Sequence, residues 1–343
     1  MAKKSRKKKA TPKRKKKPLV TTKTIGVLHT GTRTVFDRLV DDMRQAAADL
    51  PSFDVKIKDD GSNGPGHYAE DDIGKLEDDA DELVNDSSIR VIIAAGGPQA
   101  AIAAMNAADE AGIDKPIVFT TVVDPVGLGL VDDLEFPGRN LTGTAGRTSE
   151  TDPDRLTLLY RYISPTTVGA KYGVLINPGR QDNRKQYKPL AARAKRHKIE
   201  LIRARTNNIR GIRRAFRFFK RKNVLGVVVT ADSFFNNNRT EVITCAADAE
   251  IPTIYQWRQF VEAGGLISYG PKIQDAYLMA GQYAKTILRN ENVPKDMACW
   301  TPGDETFELV INTNTAKALS LGVPGKIDGK EVKEFPPKPG SPL

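Results

Sequence analysis

Between residues 24 and 255, short apolar runs of strand length alternate with amphipathic segments of helix length, and this alternation restricts the chain to a parallel α/β architecture. The runs at 24–29, 53–58, 90–95 and 116–123 read as strands, with helices at 35–50, 69–85 and 98–111 between them. Strands flanked in this way form a sheet covered on both faces. The pattern then restarts, with strands at 171–176, 200–204, 224–230 and 253–255 and helices at 182–197, 209–222 and 237–249. A chain of 343 residues is long enough for two cores. The reading is two similar α/β lobes in series.

The junctions predict how the lobes are joined. Residues 124–129 and 136–143 are rich in Gly and Pro and hold a short strand only at their end. After the Gly-rich stretch ending at Pro271, one helix (274–289), a loop (292–304), one strand (306–311) and one helix (313–321) remain, too little for a third domain. The economical path returns the first helix to lobe 1 and the strand to lobe 2, giving three crossovers. Lobe 1 is then expected at 24–142 plus 271–298, and lobe 2 at 144–268 plus 304–335. The end of the chain, from Glu334 and Phe335 into the prolines, reads as polyproline II, with a Pro-rich tail at 336–343.

Charge separates the start of the chain from the rest. The formal net charge is +11, and eleven Lys and Arg lie in the first 17 residues, so residues 18–343 balance at 42 basic against 42 acidic side chains. Residues 1–22 are expected to form a disordered basic tail, a candidate contact for nucleic acid or an anionic membrane. No run of 18 uncharged apolar residues is present, which excludes a transmembrane helix of ordinary composition. Leu19 and Val20 are followed at once by Thr21, Thr22 and Lys23, so no secretory apolar core follows the basic start. As given, the sequence reads as cytoplasmic; a start upstream of Met1 would make it periplasmic. Cys245 and Cys299 stand 54 positions apart without metal-ligand spacing and are expected to be buried thiols.

The common catalytic and nucleotide-binding signatures are missing: there is no GxxxxGK[ST], GxSxG or HExxH, and Asp132 interrupts the glycine pattern begun by Gly127 and Gly129. No cofactor or metal is indicated, and no enzymatic activity is expected. His29 ends the first strand, where α/β sheets present groups to ligands; it reads either as a packed ring or as a ligand contact. The strand at 90–95 runs into Gly96, Gly97, Pro98 and Gln99, where a helix begins. Pro98 suits a first helical turn, and the glycines would let backbone N–H groups approach an anion such as a carboxylate; a plain strand-to-helix turn is the alternative. Asp232 follows a lobe 2 strand and is either a helix N-cap or a partner for a ligand ammonium. Tyr255 and Trp257 read equally as cleft walls or core.

Several segments together resemble one family. Residues 116–131 (PIVFTTVVDPVGLGLV), 137–143 (PGRNLTG), 231–235 (ADSFF), 260–270 (FVEAGGLISYG) and 307–312 (FELVIN) with Thr315–Leu319 (TAKAL) resemble, in order, the ABC-transporter substrate-binding proteins that include tryptophan- and tyrosine-binding lipoproteins. The likeness spans about residues 24–322. It implies a type I periplasmic-binding-protein fold: two Rossmann-like lobes with parallel sheets, joined by three crossovers, with a ligand in the cleft. It further implies that Gly96, Gly97, Pro98, Gln99 and Asp124 contact the ligand from lobe 1, with Thr30 and Gly31 nearby, and that Asn177, Asp232 and Tyr269 contact it from lobe 2 and the hinge. An ABC permease is the partner the family implies. The polybasic start and the region after Leu321 depart from the family pattern.

Two functions follow from these readings. In the first, the protein closes around a small, amino-acid-like molecule without chemistry. In the second, the lobes are a cytoplasmic ligand sensor or scaffold tethered to nucleic acid or anionic membrane by the tail. A lactose-type repressor is a poor fit, because 22 residues containing Pro12 and Pro18 cannot hold a helix-turn-helix domain.

Overall fold

The computed structural model describes residues 21–31, 33–48, 53–57, 66–70, 72–147, 151–163, 169–178 and 183–336. The expected basic tail up to residue 20 and the prolines from 337 onward lie outside them.

The first half of the chain contains β1 (Thr21–His29), α1 (Arg33–Ala48), β2 (Phe53–Ile57), β3 (His67–Tyr68), α2 (Ile73–Asn85), β4 (Ile89–Ala95), α3 (Pro98–Ala111), β5 (Ile117–Val122) and β6 (Leu141–Ala145). Their strands form one parallel sheet in the order β2-β1-β4-β5-β6, with β3 also paired to β1. The near-continuous apolar run of β4 is what a strand covered on both faces requires. On one side α3 turns a stripe of alanines, Ala100, Ala101, Ala104 and Ala108, into the core, so the helix can lie close to the sheet.

The second half contains α4 (Asp152–Ile163), β7 (Lys171–Ile176), α5 (Asn183–Arg196), β8 (Glu200–Arg205), α6 (Ile209–Arg221), β9 (Gly226–Val229), α7 (Ser233–Asn237), α8 (Arg239–Ala249), β10 (Thr253–Tyr255), α9 (Arg258–Glu262) and β11 (Ile267–Pro271). After them come α10 (Ile273–Leu288), β12 (Phe307–Asn312), α11 (Thr313–Ala318), β13 (Lys326–Ile327) and β14 (Lys330–Phe335). The second sheet runs β13-β14-β12-β11-β10-β9-β7-β8, parallel from β8 to β11, with β12 antiparallel to β11. Phe216 and Phe219 of α6 bury their rings under this sheet, each contributing on the order of 1.5–3 kcal/mol.

The chain passes between the sheets three times. It leaves β6 for α4, leaves β11 for α10, and returns through Trp300, bridged to Thr144 beside β6, to β12. Helix α10 packs on α1 and under β4 and β5. The α1 contact is close enough that a Cβ at Gly281 would sit 2.2 Å from the Met43 carbonyl oxygen.

The structure corrects three local readings. β1 begins at Thr21, pairing Thr21 and Thr22 with Phe53 and Asp54, so the sheet takes in the last two residues of the expected tail. Glu334 and Phe335 are not polyproline II but pair in parallel with Ile311 and Asn312. The helix expected at 237–249 starts two residues later, as α8 from Arg239, and a separate short helix, α7, precedes it and ends at Asn237.

Candidate functional site

Where β4 gives way to α3, Gly96 and Gly97 have φ of 87° and 120°, backbone that only glycine adopts without strain. Gly97 is the N-cap of α3, Pro98 occupies the first turn, and among the described residues no side chain caps the helix. Its leading N–H groups, with the positive end of the helix dipole, are thus available to an anionic group. The turn is held from below. Thr30 Oγ1 donates to the Gly96 carbonyl at 2.9 Å, and the Gly96 N–H donates to Thr120 Oγ1 at 3.3 Å.

Beneath it lies a buried polar link. The Gly31 N–H donates to His29 Nδ1 at 2.9 Å, which leaves the His29 proton on Nε2, 2.8 Å from Tyr277 Oη. Burial lowers the His29 pKa to about 3, so the ring is neutral, and burial likewise pushes the Tyr277 phenol up. His29 also stacks against Tyr68. It is a packed ring that sets the base of the cleft.

Facing α3 is the end of β9. Asp232 caps α7, accepting from the Phe234 N–H at 2.9 Å, and its Oδ1 also accepts from Asn177 Nδ2 at 3.0 Å. Gln256 Oε1 accepts from the Asp232 N–H at 3.0 Å. Asp232 is therefore the N-cap of α7, and capping leaves its carboxylate charged at the cleft wall. Asn236, on the next turn, is 5% exposed, and its buried Oδ1 has no hydrogen-bond partner among the described residues.

These groups surround one narrow cleft, whose cavity volume is about 30 Å³ with the walls as close as they stand here. Gly96 to Gln99, Thr121 and Val123 form one wall; Ala231 to Ser233, Asn236 and Trp257 form the other; Ile273 and Tyr277 of α10 lie between. The walls touch: Ser233 Oγ donates to Gln99 Oε1 at 3.4 Å, and a Cβ on Gly97 would stand 3.1 Å from Ser233 Cβ.

Of the ten residues singled out from the sequence, Gly96, Gly97, Pro98, Gln99 and Asp232 line this cleft. Asn177 stands directly behind Asp232. Thr30 supports Gly96 and lines a neighbouring cavity that shares Gln99 and Ser233. Gly31 holds the His29 ring. Asp124 accepts from the Gly127 N–H at 2.9 Å and closes its own turn, while its neighbour Val123 reaches the cleft. Tyr269 is not among the lining residues; its ring packs on Phe307, with Lys330 Nζ 4.8 Å from the ring centre. Trp257 lines the cleft, whereas Tyr255 stacks on Phe260 in the core.

Sequence reading missed Thr121, Ser233, Asn236, Ile273 and Tyr277. Thr121 carries the clearest structural signature: a β-branched residue at φ 56°, at the point where the β5–β6 register shifts. Strain of this kind concentrates at functional sites.

Comparison with known proteins agrees with this architecture. The fold matches a Streptococcus pneumonia ABC domain solved in complex with L-Trp, with a TM-score of 0.74 and 19% identity over 90% of this chain and 99% of the other. It also matches the ligand-free, open form of a substrate binding protein with adhesive properties from Clostridium difficile, with a TM-score of 0.61 and 22% identity over 91% and 99% of the two chains. In sequence, the chain is 29% identical over 253 residues to a tyrosine-binding protein of Clostridioides difficile (strain R20291), covering 74% of this chain and 69% of that one. The family model described as ABC transporter substrate binding protein matches residues 49–332. The chain belongs to the ABC transporter substrate-binding protein family.

Proposed function

We propose that the cleft closes around a zwitterionic, amino-acid-like ligand, binds it without catalysis, and presents the closed form to an ABC permease. One observation carries the ligand class: the walls have opposite polarity. The uncapped start of α3 offers N–H groups and the positive end of a helix, suited to a carboxylate. Across a narrow gap, the Asp232 carboxylate and the unpartnered Asn236 Oδ1 suit an ammonium group. Trp257 and Tyr277 add aromatic surface for a side chain. The L-Trp and tyrosine named for two relatives support the same class. The lobes proposed to close are those expected from the sequence, 24–142 plus 271–298 and 144–268 plus 304–335.

Titration calorimetry against the L-amino acids, with amide and decarboxylated analogues, tests the reading. An aromatic amino acid should bind, and loss of either its carboxylate or its ammonium should weaken binding by about ten- to a hundred-fold. Binding of a neutral sugar with no response to any amino acid would overturn the assignment.

A further inference from the structure

The edge of the second sheet carries a charge concentration that ligand binding in the cleft does not use. Residues 187–223, which include most of α5, all of β8 and all of α6, hold fourteen Lys and Arg against the single acidic residue Glu200. The rest of residues 18–343 carries 28 basic against 41 acidic side chains, so the balance of the folded part conceals a strongly basic end. β8 is the terminal strand of its sheet, and Arg203 and Arg205 are exposed on it.

The two helices lie on opposite faces of that edge. Leu190 and Ala194 of α5 join the buried cluster of Tyr172, Val174 and Ile176, whereas Ile212, Phe216 and Phe219 of α6 join that of Leu175, which points the other way from β7. The basic side chains therefore wrap around a ridge instead of lying in one plane.

Arg193 pairs with Asp154, Arg203 lies over the Tyr187 ring and Lys222 over the Phe218 ring, but fold stability does not account for most of the others. Arg210 stands in the first turn of α6, where the helix dipole disfavours a cation. Arg210–Arg214, Arg213–Arg217 and Arg217–Arg221 are like-charged pairs one turn apart, which destabilise a helix. Arg213 pairs with Glu241 and Lys220 with Glu250. Arg205, Arg210, Arg214, Arg217, Arg221 and Lys222 have no acidic partner within 4 Å among the described residues.

We propose that this ridge binds the phosphate backbone of nucleic acid, without base specificity. Arginine outnumbers lysine on it, and the guanidinium fork matches phosphate oxygens. A flexible or grooved polyanion can follow charges around a sheet edge, whereas a flat bilayer meets only one side of it.

The test uses the full chain, tail included, so that any contribution of the tail is common to every protein compared. Arg203, Arg205, Arg210, Arg214 and Arg217 are replaced together by Gln, and binding to a labelled 20-base-pair DNA duplex is measured from about 50 to 300 mM salt. The slope of log affinity against log salt should become shallower by roughly 3 to 4.5, from about 0.9 per phosphate contact, with at least a tenfold loss of affinity near 100 mM. A charge-matched variant, with Arg90, Arg289, Lys295, Lys317 and Lys326 replaced by Gln, should bind as the parent does. Thermal melting of both variants confirms that they are folded, and single Arg205→Gln and Arg217→Gln substitutions, each shifting the slope by about 0.9, serve if the fivefold variant is not. An unchanged slope, or an equal loss in the charge-matched control, overturns the proposal. So does a fivefold variant that keeps its DNA affinity but loses binding to phosphatidylserine vesicles, which would make the ridge a membrane contact.

Discussion

His29 Nε2 lies 2.8 Å from Tyr277 Oη although 248 positions separate the two residues. The bond ties the end of β1 to α10, the helix that returns to the first sheet, at the base of the cleft. Its neutral imidazole makes the fold sensitive to acid. The unfolded chain takes up a proton at His29 below about pH 6.5, whereas the folded chain does so only near pH 3. Stability therefore falls as pH drops from 6.5 towards 3, by at most about 1.4 kcal/mol per pH unit from this residue. In chemical denaturation between pH 5 and 6.5, above most carboxylates, His29→Gln should flatten the dependence of stability on pH. An unchanged slope would mean that His29 does not remain neutral in the folded state.

Asp232 combines capping and charge, and two substitutions separate them. Asp232→Asn retains an acceptor for the Phe234 N–H, so thermal stability should change little while ligand affinity falls about ten- to a hundred-fold. Asp232→Ala should lose similar affinity and about 1 kcal/mol of stability besides. Calorimetry with an aromatic amino acid and thermal melting decide it; undiminished affinity in both variants would remove Asp232 from ligand recognition.

Gly97 stands where the two walls meet. Gly97→Ala would force an L residue into a glycine-only region at about 1–3 kcal/mol and place a methyl group 3.1 Å from Ser233 Cβ. The methyl should hold the walls apart, weakening ligand binding by tenfold or more and enlarging the radius of gyration of the ligand-saturated protein in X-ray scattering. A variant that closes to the parental radius would show that this contact does not limit closure.

Asp152 and Arg155 form an ion pair with both side chains fully buried, and Arg155 Nε donates to the Tyr269 carbonyl at 2.7 Å. The start of α4, just after one crossover, is thereby fastened to β11, just before another. Burial works against the Arg155 charge, and Asp152 opposes that effect. Arg155→Met should destabilise the protein by about 3–5 kcal/mol by stranding the Asp152 carboxylate, and adding Asp152→Leu should recover much of the loss. Melting of the single and double variants checks this; additive losses would argue against a coupled pair.

The same pair shows where sequence reading stopped. Helix α4 was missed because Asp152 and Arg155 count as solvent-facing residues in any apolar periodicity, and only the fold shows them partnered inside. β14 was missed because the prolines after Phe335 outweighed the alternation of Lys330 to Phe335, whose partner strand β12 exists only in the folded sheet. The strands and helices that were legible, β4, α3, β7 and β10 among them, are those whose apolar pattern is complete within a few neighbouring residues.

The cleft divides along the same line. The turn from Gly96 to Gln99 could be read directly, because positive φ, a first-turn proline and a helix start are local properties that sequence determines by itself. Ser233, Asn236 and Tyr277 carry no such mark: their roles come from distances to residues tens to hundreds of positions away. Tyr269 belongs to a family motif, yet its ring packs on Phe307 and beneath Lys330. Local conformational preference, written in consecutive residues, determined the alternating elements and the glycine turn. Which side chains face one another across the cleft was decided by the three crossovers and by burial, because those contacts form only once the two sheets have been brought together.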